Sequence, residues 1–337
     1  MKILINGIGR IGKLIARELL EKDSNLKLVF INDINGNAET QAHLLEFDSI
    51  HGQWDKKIEF NKNKIKIGSN TLFCYSENEL RGLPIREFNI DIAIDCTGKN
   101  KTTDQLNHYF NQGVKKVLVS APISEKSQSI VNLVYGVNHH IYNPNIHNII
   151  TAASCTTNSI APIILVLKKE FGIESCCVTT IHDVTNTQVI ADIPKKDLRR
   201  SRSSINNLIP TTTGSAKAIT LIYPELDGKI DCIAVRVPVL NTSLSDCVFQ
   251  LKKKVTVDEV NKMFEKYSQK ILKGILSIEK RPLVSSDFLN NPNSVIIDTL
   301  STMVVNKKLL KVFGWYDNEY AYALGMIDIL KLISKKK

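Results

Sequence analysis

The sequence predicts an α/β fold: a doubly wound parallel sheet, followed by an α+β domain built on a mixed or antiparallel sheet. Three observations lead there. Short apolar runs alternate with helical patterns through the first third of the chain. A glycine-rich turn joins the first strand to the first helix. Beyond about residue 172, long β-rich runs dominate and helices become fewer. In chain order, KILIN (2–6) reads as a strand, Ile11 to Leu20 as a helix, and LKLVFIN (26–32) as a second strand. IDIAIDCTG (90–98) and KKVLVSAP (115–122) are further β-rich runs, with a polar helical stretch at 102–112 between them. CTTNSIAPIILVLKKEF (155–171) and TVDEVNKMFEKYS (256–268) read as helices. The runs at 173–184, 229–240, 243–251 and 294–316 read as strands, and 319–334 as an amphipathic closing helix. The expected division is a first domain over 1–154, completed by the C-terminal helix 319–337, and a second domain over 155–318.

A length of 337 residues fits about two domains. The 43% hydrophobic content allows a sizeable core, and the absence of an 18-residue apolar run speaks against membrane insertion. Glycines interrupt the apolar start MKILINGIGR and no small-residue cleavage site follows, so no signal peptide is expected. The seven cysteines are odd in number and irregularly spaced, with no CxxC pair. That pattern predicts neither a disulfide framework nor a metal site. It fits a reducing, cytoplasmic compartment in which a free thiol survives. The net charge of +10 is compatible with nucleic acid or anionic substrates as partners, but scattered lysines and the Lys335–Lys337 tail supply much of it.

Gly7-Ile8-Gly9-Arg10-Ile11-Gly12 matches GxGxxG between a strand and a helix, and Asp33 closes the next strand 21 residues after Gly12. In that context the pattern is the Rossmann dinucleotide fingerprint. Gly7 makes the tight turn, Gly9 lets the backbone approach a pyrophosphate, and Gly12 packs helix on sheet. The helix N-terminus offers unpaired N–H groups to phosphate. Asp33 suits ribose hydroxyls and repels a 2′-phosphate, which favours NAD over NADP. The competing reading is a glycine turn with a strand-end aspartate.

Cys155 lies in Ser154-Cys155-Thr156-Thr157-Asn158, among residues that cap helices, just before an apolar helical pattern. A helix N-terminus favours a thiolate, which separates Cys155 from six cysteines better read as small buried hydrophobes. His182 ends a β-rich run and is the candidate base, then acid; a structural histidine is the competing reading. Arg199, Arg200 and Arg202 cluster beside serines and asparagines, and Thr211-Thr212-Thr213-Gly214 leads into a helical pattern. Both features suit an oxyanion. A nucleic-acid patch ranks second, because this segment has no aromatic residue to stack on bases.

Taken together, NGIGRIG, ASCTTN, KDLRRSR…PTTTG, RVP (236–238) and WYDNE (315–319) resemble glyceraldehyde-3-phosphate dehydrogenase from about residue 3 to about residue 330, in the family's order and spacing. The resemblance implies a phosphorylating aldehyde oxidation. Cys155 attacks the aldehyde, His182 takes the proton, hydride passes to NAD, and inorganic phosphate releases the thioester as an acyl phosphate. It further implies that Thr185, Arg200 and Arg236 hold the substrate phosphate or the attacking anion, with Ser154, Thr156, Thr213 and Gly214 at the attacking-anion site. Arg10, Ile11, Asp33, Thr97, Ser120 and Asn318 are the implied cofactor contacts, with Asn318 on the nicotinamide amide. A homotetramer is implied, with 185–206 reaching a neighbour's cofactor site. There are departures: Thr187 stands where many members carry an aspartate, which leaves the anion site more positive, and Tyr320 replaces a frequent tryptophan. HLLEFDSIHG, HDVTNTQ and LKGIL look like a subgroup linked to arsenate resistance, in which arsenate replaces phosphate and the product leaves through a transporter. A related dehydrogenase of erythrose 4-phosphate is a further alternative, disfavoured by the intact Pro210–Gly214 segment.

Overall fold

The structure is a computed structural model describing residues 1–21 and 25–336. Its contacts divide the chain into two compact units. One comprises Met1–Tyr135, His139–Ala153 and Ala323–Lys337; the other comprises Gly136–Asn138 and Ser154–Tyr322.

The first unit runs β1 (Lys2–Asn6), α1 (Arg10–Glu21), β2 (Lys27–Asn32), α2 (Ala38–Glu46), β3 (Ile58–Asn61), β4 (Lys64–Ile67), β5 (Asn70–Tyr75), α3 (Ile85–Phe88), β6 (Ile92–Asp95), α4 (Thr103–Phe110), β7 (Lys116–Val119), β8 (Ile130–Asn132) and β9 (Ile149–Thr151). Among the described residues these strands form one sheet in the order β3-β4-β5-β2-β1-β6-β7-β9-β8. The β3–β4–β5 pairings are antiparallel and the others parallel. Chain order reverses between β1 and β6, which is where ligands sit in open α/β sheets. Leu4, Phe30, Ala93, Val117 and Val119 from the strands pack with Ile85, Leu106 and Tyr109 in one buried cluster. α2 and the β3–β5 meander are not among the elements expected above, although the buried–exposed alternation of Lys-Ile-Lys-Ile in β4 is the period-two signal of a strand.

Several elements end earlier than expected, each for a local reason. β6 stops at Asp95 because the Asp95 carboxylate captures the N–H and hydroxyl of Thr97, at 3.1 and 2.7 Å, and folds the chain into a turn. α4 begins after Thr102, whose side chain and Gln105 form a reciprocal cap.

The second unit runs α5 (Cys155–Glu170), β10 (Ile173–His182), β11 (Ile209–Thr212), α6 (Ser215–Ile222), β12 (Ile230–Arg236), β13 (Ser243–Leu251), α7 (Val257–Gln269), β14 (Leu276–Glu279), β15 (Val295–Val305) and β16 (Leu309–Tyr316). The closing helix α8 (Tyr320–Lys335) falls with the first unit from Ala323 onward. The sheet order is β11-β12-β10-β13-β16-β15-β14. β10–β12 and β14–β15 are parallel and the remaining pairs antiparallel, so this sheet is mixed, as expected. The run 294–316 is two strands rather than one, because Asn306 and Lys307 turn at φ 49° and 60°. β12 ends at Arg236, two residues before Pro238, which has no N–H to give a ladder. α5 is buried from Thr156 to Ile164 and packs on β13, β15 and β16, so the apolar run Ile160–Leu167 anchors its polar N-terminus.

Candidate active site

In the first unit the glycine turn follows β1 with the expected mechanics. Gly7 has φ +91°, and a Cβ there would lie 2.7 Å from the backbone of Cys96 and Thr97. A Cβ on Gly12 would lie 2.0 Å from the Gly7 carbonyl oxygen, so neither position admits a side chain. Gly9 is different: among the described residues outside its own turn, a Cβ there meets no atom within 4 Å, so it leaves open space at the start of α1. Asp33 caps the turn. Its carboxylate accepts from the N–H of Ile8 at 2.8 Å and of Asn35 at 2.9 Å. Thr97 and Ser120 stand just past the carboxyl ends of β6 and β7, beside the strand-order reversal. These features fit a dinucleotide.

Arg10 and Ile11 open α1, but the Arg10 guanidinium is committed to Asp48, in a two-point bond at 2.7 and 3.0 Å. Lys13 adds a third contact to the same carboxylate at 2.7 Å. Burial pushes Asp48 up, yet the hydrogen bonds from Arg10, Lys13 and the N–H groups of His51 and Ile50 outweigh it and hold the carboxyl far below the usual range. This buried ion cluster, which the sequence reading did not contain, fixes the start of α1.

The thiol lies in the second unit. Ser154 is the N-cap of α5, accepting from Thr157 N–H at 3.2 Å, and Cys155 is the helix's first residue. β10 alternates so that Cys176, Val178, Thr180 and His182 share the buried face. This alternation brings His182 Nε2 to 3.6 Å from Cys155 Sγ. Two residues that sequence reasoning gave no role complete the surroundings. Tyr316, 1% exposed, shares its hydroxyl with Thr156 at 3.0 Å and Thr180 at 2.7 Å, and its ring meets His182 edge-on at 6.2 Å. Asp183, also 1% exposed, touches His182 Nδ1 with its carboxylate. Both belong to quoted motifs, WYDNE and HDVTNTQ; what was missing was the fold that turns them inward.

β10 and β12 run parallel with His182 opposite Arg236. Arg236 Nη1 lies 2.7 Å from His182 Nδ1 and donates to the Asp183 carbonyl at 3.0 Å. Burial, the largest influence, pulls His182 down, but hydrogen bonds and charge from Asp183 and Cys155 carry it up to about 9. Arg236 bears the other way, since a permanent cation beside Nδ1 disfavours imidazolium. Asp183 is the strongest of the influences that raise His182, with Cys155 next, and the Arg236 charge opposes both.

The remaining predicted residues form satellites. Arg236 Nε is buried with no hydrogen-bond partner among the described residues. Burial lowers Arg236, Asp183 and Cys155 raise it, and Arg200 lowers it further, so a second guanidinium stands within electrostatic reach. Arg200 is held by Asp197 at 3.1 Å and by the Thr212 carbonyl at 3.2 Å, beside Thr213 and Gly214. Gly214 is the N-cap of α6 with no side-chain cap of its own. Thr185 closes a local turn with Thr187 and Gln188. Asn318 accepts from Ser243 at 3.0 Å. Among the described residues, the structure thus joins Cys155, Thr156, His182 and Arg236 directly, while no bond links Thr185 or Thr213 to them.

Two family models cover most of the chain: glyceraldehyde 3-phosphate dehydrogenase, NAD binding domain, over residues 1–103, and the C-terminal domain of the same family over 154–318. The chain belongs to the glyceraldehyde-3-phosphate dehydrogenase family. It is similar to glyceraldehyde-3-phosphate dehydrogenase 3 of Nostoc sp., with 45% identity over 99% of this chain and 98% of the relative. It also resembles glyceraldehyde-3-phosphate dehydrogenase 2 of Bacillus subtilis (41% identity, 100% of this chain, 97% of the relative) and the Geobacillus stearothermophilus enzyme (41%, 100% and 99%). Family membership carries NAD-dependent oxidation of glyceraldehyde 3-phosphate and disfavours both the erythrose 4-phosphate reading and the nucleic-acid reading. Among the described residues, no helix is long and apolar enough to cross a membrane, and no group of His, Cys, Asp and Glu could hold a metal ion.

Proposed function

We propose that the chain oxidises glyceraldehyde 3-phosphate through a thioester on Cys155, which inorganic phosphate then releases as 1,3-bisphosphoglycerate. The 3.6 Å approach of His182 to Cys155 at the mouth of a capped helix carries this reading. Cys155 Sγ bonds to the aldehyde carbon as its proton passes to His182, and His182 returns a proton to the new alkoxide. When bound, NAD accepts the hydride that leaves this carbon. His182 takes the hydroxyl proton in the same step, so the carbonyl re-forms as a thioester. A phosphate oxygen then attacks that carbon and expels Sγ, which leaves as thiolate or regains the proton of His182.

The orphaned Nε of Arg236, the nearby Arg200 and the bare N-terminus of α6 support a site for oxyanions, with Ser154, Thr156, Thr185 and Thr213 as hydroxyl donors. Gly7, Gly9, Gly12, Arg10, Ile11, Asp33, Thr97 and Ser120 serve the cofactor, and Asn318 its amide. NADH formation from glyceraldehyde 3-phosphate should require phosphate or arsenate. Turnover that is indifferent to both anions would remove the thioester route, and equal use of both would leave the arsenate specialisation without support.

The protein works in a reducing compartment, the cytoplasm, as a homotetramer. Its cysteines are unpaired, and Ile190, Leu198, Ile205 and Leu208 are 75, 81, 61 and 70% exposed in and beside the 185–206 segment. Sedimentation equilibrium should return about four times 37.8 kDa; a monomer mass at micromolar concentration would refute the assembly.

A further inference from the structure

The His182 ring nitrogen that faces away from Cys155 has one donor and two acceptors beside it. Arg236 Nη1 is the donor at 2.7 Å; the Asp183 carboxylate, in direct contact, and the Asp183 carbonyl at 3.0 Å are the acceptors, and the carbonyl already accepts from Arg236 Nη1. Nδ1 either accepts from Arg236 or donates to Asp183. If it accepts from Arg236, the neutral ring carries its hydrogen on Nε2 and has no lone pair to offer Cys155. If it donates to Asp183, the Nε2 lone pair faces Sγ and can take a proton.

We propose that Asp183 is the positioning residue for His182: its carboxylate holds the Nδ1 hydrogen and so keeps Nε2 turned to Cys155 as an acceptor. The needs of the two neighbours decide between them. Arg236 Nη1 already has the Asp183 carbonyl at 3.0 Å as an acceptor. The Asp183 carboxylate is almost fully buried, and its other partner is the Ser243 hydroxyl at a long 3.4 Å. A buried carboxylate without a strong donor is far costlier than a guanidinium that keeps one acceptor, and a charge-assisted bond to N–H is about twice as strong as a neutral one. The single Ser243 hydrogen is better placed on Asn318 Oδ1 at 3.0 Å than on Asp183 at 3.4 Å, which leaves the Asp183 carboxylate in greater need of the Nδ1 hydrogen. The ionisable groups facing His182 are Cys155 from α5, Asp183 beside it in the chain, Arg236 from β12 and Tyr316 from β16, with Arg200 at longer range. Asp183 is the acid among them that lies on the Nδ1 side.

The inference rests on His182 being the acid–base partner of Cys155, and its test needs no turnover. In the full-length protein, the alkylation rate of the Cys155 peptide by iodoacetamide is followed by mass spectrometry from pH 5 to 10. The parent should show an upper inflection near pH 9. D183N should move it down by at least one pH unit and lower kcat by more than about tenfold, with KM within threefold. An inflection unmoved in folded D183N overturns the proposal while leaving the thioester reading intact; loss of that inflection in H182N separately identifies the group. Should D183N fail to fold, ¹⁵N NMR of the unsubstituted protein decides. A hydrogen on Nδ1 with Nε2 bare in the neutral ring, above the inflection near pH 9, supports the proposal, and the opposite tautomer there refutes it.

Discussion

Replacing Cys155 with serine is expected to abolish NADH formation, by about 10⁴-fold or more, at unchanged fold. Serine is nearly the same size and suits the first turn of a helix, so Ser154 can still cap α5 and the apolar body of the helix is untouched. What is lost is the sulfur. A hydroxyl at this position is a far weaker acid and nucleophile, and an ester in place of the thioester would resist the second half-reaction. No other cysteine can deputise. Burial pushes Cys74, Cys96, Cys176 and Cys232 up to about 12 and raises Cys247 well above the usual thiol value, so these remain thiols at neutral pH. Cys177 is exposed, on the face of β10 opposite His182. The measurement is initial NADH formation together with a rapid-mixing burst. Activity within tenfold of the parent would remove Cys155 from the mechanism.

How much of this site was legible in the sequence follows from range. Gly7, Gly9, Gly12 and Asp33 act within one strand–turn–helix–strand segment, so spacing alone conveys their mechanics, and the close contacts at Gly7 and Gly12 agree with that reading. The N-cap role of Ser154 is equally local. Meeting of Cys155 with His182 is not local. It needs α5 laid on a sheet in which β10 lies between β12 and β13, with the period-two alternation of β10 counted correctly to its last residue. Tyr316 and Asp183 were invisible for the same reason: a tyrosine at a strand end and an aspartate after a histidine are ordinary until the sheet turns them inward. Arg10 shows the converse. Its position in the fingerprint was legible, but its commitment to Asp48, 38 residues away, was not, because a buried ion pair leaves no periodic trace.

His182→Asn should slow the acylation step by about 10²–10⁴-fold, with a smaller effect on substrate KM, because asparagine fills the space and can hydrogen-bond but cannot carry a proton between Sγ and the substrate oxygen. A change below tenfold would assign the ring a structural role. The variant also has a pH signature whose sign is fixed by the ionisation. In the fold His182 rises from the usual histidine value to about 9, as Asp183 and Cys155 outweigh burial. A group raised on folding stabilises the native state fully below its unfolded value of about 6.5, and that contribution fades as pH climbs through about 9. At about 1.4 kcal/mol per unit, the shift bounds the effect at about 3 kcal/mol, with Arg236 reducing it. The parent should therefore lose more stability than His182→Asn between pH 7 and pH 10, in urea unfolding at each pH. Parallel stability curves would mean that the imidazole is uncharged in the resting enzyme and that Arg236, rather than Asp183, governs its outer nitrogen.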